Sequence, residues 1–141
     1  MLVRLLYASR AVPGFDAEEL AAIVRQSRRT NVEHGITGLL CYSEGIFLQV
    51  LEGGRSAVNR LYAHIAADPR HTQVELLHYA EIAERRFANW AMGQVDLAQL
   101  NPALLLKHAE RAVLDPYACS GVQAMAFLEE LVATNSIAHC A

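Results

Sequence analysis

Gln49 lies inside the apolar run Ile46-Phe47-Leu48-Gln49-Val50-Leu51. The run is rich in β-branched and aromatic residues and stops at Gly53-Gly54, which predicts a buried strand. A primary amide there brings two donors and an acceptor, and each one left unpaired costs roughly 1–3 kcal/mol. The apolar neighbours supply no partner, so backbone, water, a polar side chain or a bound ligand must. Two other positions offer polar groups. Tyr7 follows Val3 and Leu5 on one side of a first strand by alternation, and it carries a phenol able to donate to the amide oxygen. Ser27 and Asn31 are four apart on a predicted helix and share its face with Leu20 and Val24. Bland readings compete with this convergence: a half-buried tyrosine packed in the core, Asn31 as a C-terminal cap, and Gln49 satisfied by backbone alone.

The elements that would bring these residues together follow in a fixed order. Residues 2–8 form a first strand. Asp16, with Glu19 three residues on, marks the start of a helix that should end near Asn31. Ile36–Tyr42 and Ile46–Leu51 flank the short turn Ser43-Glu44-Gly45 and make a hairpin. A second helix follows Gly53-Gly54, with Val58, Leu61, Tyr62 and Ile65 on one face, and ends at Asp68-Pro69. Val74–Ile82 gives a fourth strand and Trp90–Val95 a fifth. The fold class is therefore α+β, a ferredoxin-like β-α-β-β-α-β arrangement with an extra strand. In it the first and third strands are central neighbours, so Tyr7 and Gln49 can touch. Its two helices cover one sheet face. Two more helical patterns, roughly Pro102–Val113 and Ser120–Ala133, are apolar enough to pack on the bare face, on a partner protein or on a second copy. The expected division is residues 1–96 as the sensing or binding domain and 97–141 as a helical extension.

Composition narrows the class. The chain has 141 residues and a formal net charge of −3, with no basic run and Arg28-Arg29 as the densest cluster near the N-terminal half, which argues against nucleic acid as a main partner. No stretch reaches the ~20 apolar residues of a membrane span. Cys41, Cys119 and Cys140 are odd in number and widely spaced, so reduced thiols in a cytoplasmic protein are expected. None of the six histidines has metal-ligand spacing, and no Walker, G-x-S-x-G or G-x-G-x-x-G pattern occurs. An enzyme is not expected.

Several segments together match a known family. Leu6-Tyr7-Ala8-Ser9-Arg10, Ser27 to Asn31, Gly35-Ile36-Thr37-Gly38-Leu39-Leu40 and Gly45-Ile46-Phe47-Leu48-Gln49-Val50-Leu51-Glu52-Gly53 stand in order. Asp68-Pro69-Arg70-His71 and Arg86-Phe87-Ala88-Asn89-Trp90-Ala91-Met92-Gly93 follow. Over about residues 1 to 96 the chain resembles the BLUF domain, a blue-light sensor that uses FAD, and its tail looks like that of short single-domain members. The resemblance implies a flavin between the two helices, FAD in the family, with FMN or riboflavin as substitutes in vitro. It implies that Tyr7 and Gln49 are the photoactive pair: light drives an electron and a proton from Tyr7, and the Gln49 amide rearranges by rotation or tautomerisation. It further implies ring contacts from Ser27, Thr30 and Asn31, with Thr30 shorter than the usual Asn, His or Arg. Asp68, Arg70 and His71 match positions near the ribityl and phosphate part. Trp90 and Met92 match the switching strand, where one or the other lies against Gln49. Output would pass through the fifth strand and C-terminal helices to a separate protein, or through a homodimer. The alternatives on the same fold are a small acylphosphatase-like enzyme, using Arg10 in the loop after the first strand, and a non-photoactive ligand-binding regulatory module.

Overall fold

A computed structural model describes residues 1–134 and 137; Cys140 and His139, counted above, lie outside the described residues. Strand β1 (Leu2–Ala11) is buried along most of its length, because residues on both of its faces pack into a core. Helix α1 (Ala17–His34) starts where Asp16 predicts, its carboxylate accepting from the Glu19 backbone N–H at 2.9 Å. It outruns the expected end near Asn31 and stops at Gly35, whose left-handed φ of 66° lets its N–H reach the carbonyls of Asn31 and Val32. Asn31 is thus inside the helix rather than its cap, and its side chain is free for other contacts. Strands β2 (Thr37–Ser43) and β3 (Ile46–Gly54) form the expected hairpin, and α2 (Arg55–Ala67) follows β3 directly.

Strand β4 (His71–Ile82) begins three residues earlier than Val74. The early part was hidden by an irregularity in its pairing with β1, where Gln73 takes a positive φ of 51°. Strand β5 (Gly93–Asp96) is shorter than the Trp90–Val95 expected, and a 3₁₀ turn, Leu97–Gln99, succeeds it. The sheet order is β4-β1-β3-β2-β5, antiparallel except for the β2–β5 pair. β1 and β3 are neighbours, and the register sets Tyr7 opposite Gln49.

The two sheet faces carry two cores. Val3, Leu5, Tyr7, Phe47 and Leu51 pack with α1 and α2 through Val24 and Val58. Leu6, Leu48 and Val50 pack on the other face with α3 (Pro102–His108) and α4 (Gly121–Ala133) through Leu105, Phe127, Leu128 and Leu131. The C-terminal helices therefore cover the open face. Leu128 and Leu131 are fully buried, and each contributes roughly 1.5–3 kcal/mol by leaving water. Helix α3 ends at His108 instead of Val113 for a geometric reason. Leu105 and Leu114 both enter this core. Nine residues apart at about 100° per residue, they would face opposite ways on a continuous helix.

Candidate functional site

Tyr7 and Gln49 meet in the centre of the sheet, 1 % and 4 % exposed. The Tyr7 hydroxyl donates to Gln49 Oε1. Burial first, then the neighbouring Tyr62 and Asp68, pushes the phenol above its usual range, so it stays protonated. The other end of the amide is less well served. Among the described residues, the hydrogen-bond partner of Gln49 Nε2 is the Met92 Sδ at 3.2 Å. A thioether is a weak acceptor, and the nitrogen carries two donors.

The floor of a cleft of about 150 Å³ is formed by Tyr7, Gln49, Leu40 and Phe47. α1 supplies one wall with Ile23, Gln26, Ser27 and Thr30; α2 supplies the other with Leu61, His64 and Ile65. Asp68, Arg70 and His71, just past α2, close one end. Thr30 spends its single hydroxyl donor on its own helix, bonding the carbonyls of Gln26 at 3.0 Å and Ser27 at 3.4 Å, which leaves only acceptor capacity toward the cleft. Asp68 and Arg70 pair through a fork, Arg70 Nη2 lying 2.6 Å from Oδ2. The hydrogen bond from Arg70 holds the Asp68 carboxyl below its ordinary range. Burial holds the His71 imidazole below its ordinary value, and its Nδ1 lies 2.9 Å from Ser9 Oγ.

Asn31 and Met92 sit beside the cleft rather than in its wall, 1 % and 2 % exposed. Asn31 Nδ2 donates to the Ala91 carbonyl at 2.7 Å. Trp90 and Met92 part company. In a strand, residues two apart share a face. Here the chain is irregular up to Gly93, so Met92 joins the Tyr7 core while Trp90 joins the core on the opposite face. Met92 is the residue against Gln49, and the fifth strand starts too late to include either.

Sequence reasoning passed over three contributors. Arg28 Nε donates to the Met92 carbonyl at 3.1 Å; its spacing of three from Asn31 on α1 was the available signal. Ser9 holds His71. Glu52, fully buried on β3, pairs with Arg4 at 2.7 Å and accepts from the backbone N–H groups of Arg86 at 3.0 Å and Phe87 at 2.7 Å. It ties the approach to Met92 to the central sheet, and a glutamate in an apolar strand was the signal for it.

The cleft's walls mix apolar residues (Ile23, Leu61, Ile65) with polar ones (Gln26, Ser27, Thr30, His64), its floor offers an amide with a donor to spare, and its end is charged. That donor set suits a flat heterocycle rich in acceptors. Comparison with known proteins agrees. Residues 2–93 match the family model "BLUF: Sensors of blue-light using FAD". The chain is 42% identical over 92 residues to the photoactivated adenylate cyclase subunit beta of Euglena longa; the match takes in 64% of this chain and 11% of that protein, so the chain spans about a tenth of the length of such relatives. Two solved structures match along nearly the whole of both chains. The BlsA photo-activated state is 31% identical with a TM-score of 0.84, covering 94% of this chain and 95% of that one. The dark state of the BLUF protein BlrB is 34% identical with a TM-score of 0.80, covering 95% and 96%.

Proposed function

The chain belongs to the BLUF family of flavin-using blue-light sensors, and from that footing we propose that Tyr7, Gln49 and Met92 are its light-driven switch, with FAD as the flavin. The observation that carries this reading is the chain Tyr7–Gln49–Met92: one strong donor, one reversible amide and one weak acceptor, set against an open cleft. When bound, the flavin supplies a light-activated acceptor for an electron and a proton, and acceptor atoms along its polar edge. The rest follows from the residues. The Tyr7 phenol is buried and hard to ionise, so its proton leaves only when its electron does. The proton already lies on a hydrogen bond to Gln49, so it moves without diffusion. The electron and proton then return to Tyr7, and the amide is left rearranged by rotation or tautomerisation. Tautomerisation would keep the heavy atoms in place and move a proton from nitrogen to oxygen; rotation would set nitrogen against the tyrosine oxygen and oxygen against the thioether. Oxygen and sulfur are both acceptors, so Met92 loses its reason to stay. One neutral hydrogen bond, about 1 kcal/mol, is enough to shift a two-state segment several-fold.

Ser27, Thr30 and Asn31 would position the ring from α1, and Asp68, Arg70 and His71 the ribityl and phosphate end. The fork to Asp68 leaves Arg70 locally neutralised, which favours a phosphate shared with His71 and solvent over a deeply buried one. Residues 1–96 act as the sensing unit, and residues 97–141 carry the output to a separate protein or a second copy. No substrate is turned over. Free thiols at Cys41 and Cys119 support a reducing, cytoplasmic setting; no described helix is long and apolar enough to cross a membrane. The acylphosphatase-like alternative needs Arg10 over a phosphate loop. Its Nε instead donates to Gln73 Oε1 at 2.9 Å, and its guanidinium lies 4.8 Å from the Tyr117 ring centre.

Absorption spectroscopy tests the reading. Purified protein is expected to be yellow, to shift to the red under blue light and to recover in the dark. A colourless preparation that takes up no FAD on reconstitution overturns it.

A further inference from the structure

The three carbonyls just before β5 are each held by a different donor. Gly38 N–H holds that of Trp90 at 2.9 Å, Asn31 Nδ2 that of Ala91 at 2.7 Å, and Arg28 Nε that of Met92 at 3.1 Å. Two of the three donors are α1 side chains, one turn apart. The segment is irregular, so sheet pairing does not fix it; these bonds do. The Arg28 bond is the charge-assisted one, and it falls on the residue whose sulfur touches Gln49. Among the described residues Arg28 Nη2 is buried with no hydrogen-bond partner, so its grip on Met92 is a single bond that can break in one step. Arg28 does not line the cleft.

We propose that Arg28 is a positioning residue: by holding the Met92 carbonyl it sets how fast the segment re-seats against Gln49, and so the lifetime of the lit state. The inference rests on the light-sensing reading above. Moving Met92 away from the amide stretches or breaks the bond from Arg28, and return restores it. Loss of the bond therefore weakens the seated arrangement and the barrier state leading to it, while the displaced arrangement is unaffected.

The test is Arg28→Ala and Arg28→Lys in the flavin-loaded protein. Arg28→Ala is expected to keep wild-type flavin content and red shift, and to slow dark recovery about tenfold, the scale of one charge-assisted hydrogen bond. Arg28→Lys, which keeps a cationic donor without the fork, recovers at an intermediate rate. Amide hydrogen exchange across residues 87–93 in darkness is expected to quicken several-fold in Arg28→Ala. Recovery within twofold of wild type, or faster than it, overturns the proposal. So does parallel loss of flavin in both variants, which marks a merely structural role. A wild-type protein with no red shift refutes the light reading and the kinetic claim with it; unchanged exchange refutes the clamp whatever light does.

Discussion

Tyr7→Phe removes one oxygen from the centre of the sheet and leaves the ring. The phenol is 1 % exposed, and Gln49 Oε1 receives its proton. Without it a buried amide oxygen loses its donor, at a cost of roughly 1–3 kcal/mol. For a chain of this size that lowers the Tm by roughly 3–9 °C. The cleft keeps its walls on α1 and α2, so flavin binding persists. The light response does not, because phenylalanine has no proton to send along the bond to Gln49. A second signature separates the phenol from its neighbours. Burial raises its folded-state pKa above the ordinary 10.0. The unfolded chain therefore releases this proton first as the pH rises, and the native state loses stability above about pH 10. Tyr7→Phe lacks that loss and should show a flatter alkaline limb. Flavin absorbance under blue light, with thermal unfolding from pH 7 to 11, reads all three. A normal red shift in Tyr7→Phe would falsify the assignment of the pair, and an unchanged Tm would show that the hydroxyl bond contributes nothing.

Met92→Ala deletes the acceptor of Gln49 Nε2 and should change dark-recovery kinetics several-fold with little effect on flavin affinity; equilibrium binding beside recovery traces checks this, and a variant that loses flavin with unaltered kinetics speaks against it. Glu52→Gln leaves Arg4, 8 % exposed, as a buried charge without its counter-ion and should cost roughly 3–5 kcal/mol in urea unfolding; a loss under about 1 kcal/mol would mean that the pair does not anchor the loop. Burial lowers the folded-state pKa of His71 below 6.5, so its stabilising share is present above that value and lost as the pH falls through and below it. His71→Gln should accordingly lose less stability than wild type between pH 7 and 5, and identical slopes would assign the acid sensitivity to other groups.

Periodicity and punctuation in the sequence announced the helices, the hairpin and the order of the strands, because Asp16, Gly53-Gly54 and Pro69 act locally on their own backbone. Gln49 and Tyr7 could be paired for the same reason: alternation and strand order decide which residues share a face. What escaped is non-local. The helix break after His108 depends on Leu105 and Leu114 both seeking one core. The divergence of Trp90 and Met92 depends on bonds from Gly38, Asn31 and Arg28, which sit more than fifty residues earlier. Glu52 reads as an odd charge in a strand until the backbone of Arg86 and Phe87 comes to meet it.

The unequal strength of these contacts has a consequence for signalling. Three bonds hold the backbone of residues 90–92, and none of them is made to the Gln49 amide, whichever way it points. The Met92 sulfur contact does depend on it, and it is the weakest of the set. Had a carboxylate or carbonyl stood in place of the sulfur, a bond of roughly 1 kcal/mol or more would lock the amide in one orientation and resist reversal. With a thioether, the two orientations differ at that end by a weak bond, enough to bias the segment and too little to lock the amide. On the proposed reading, reversal is then decided mainly at the tyrosine and flavin end. On the same reading the strong bonds have a separate role: they return the segment once the amide has reverted. Substitutions at Met92 and at Arg28 should therefore both alter recovery, but only the Met92 substitution also removes a contact of the amide itself.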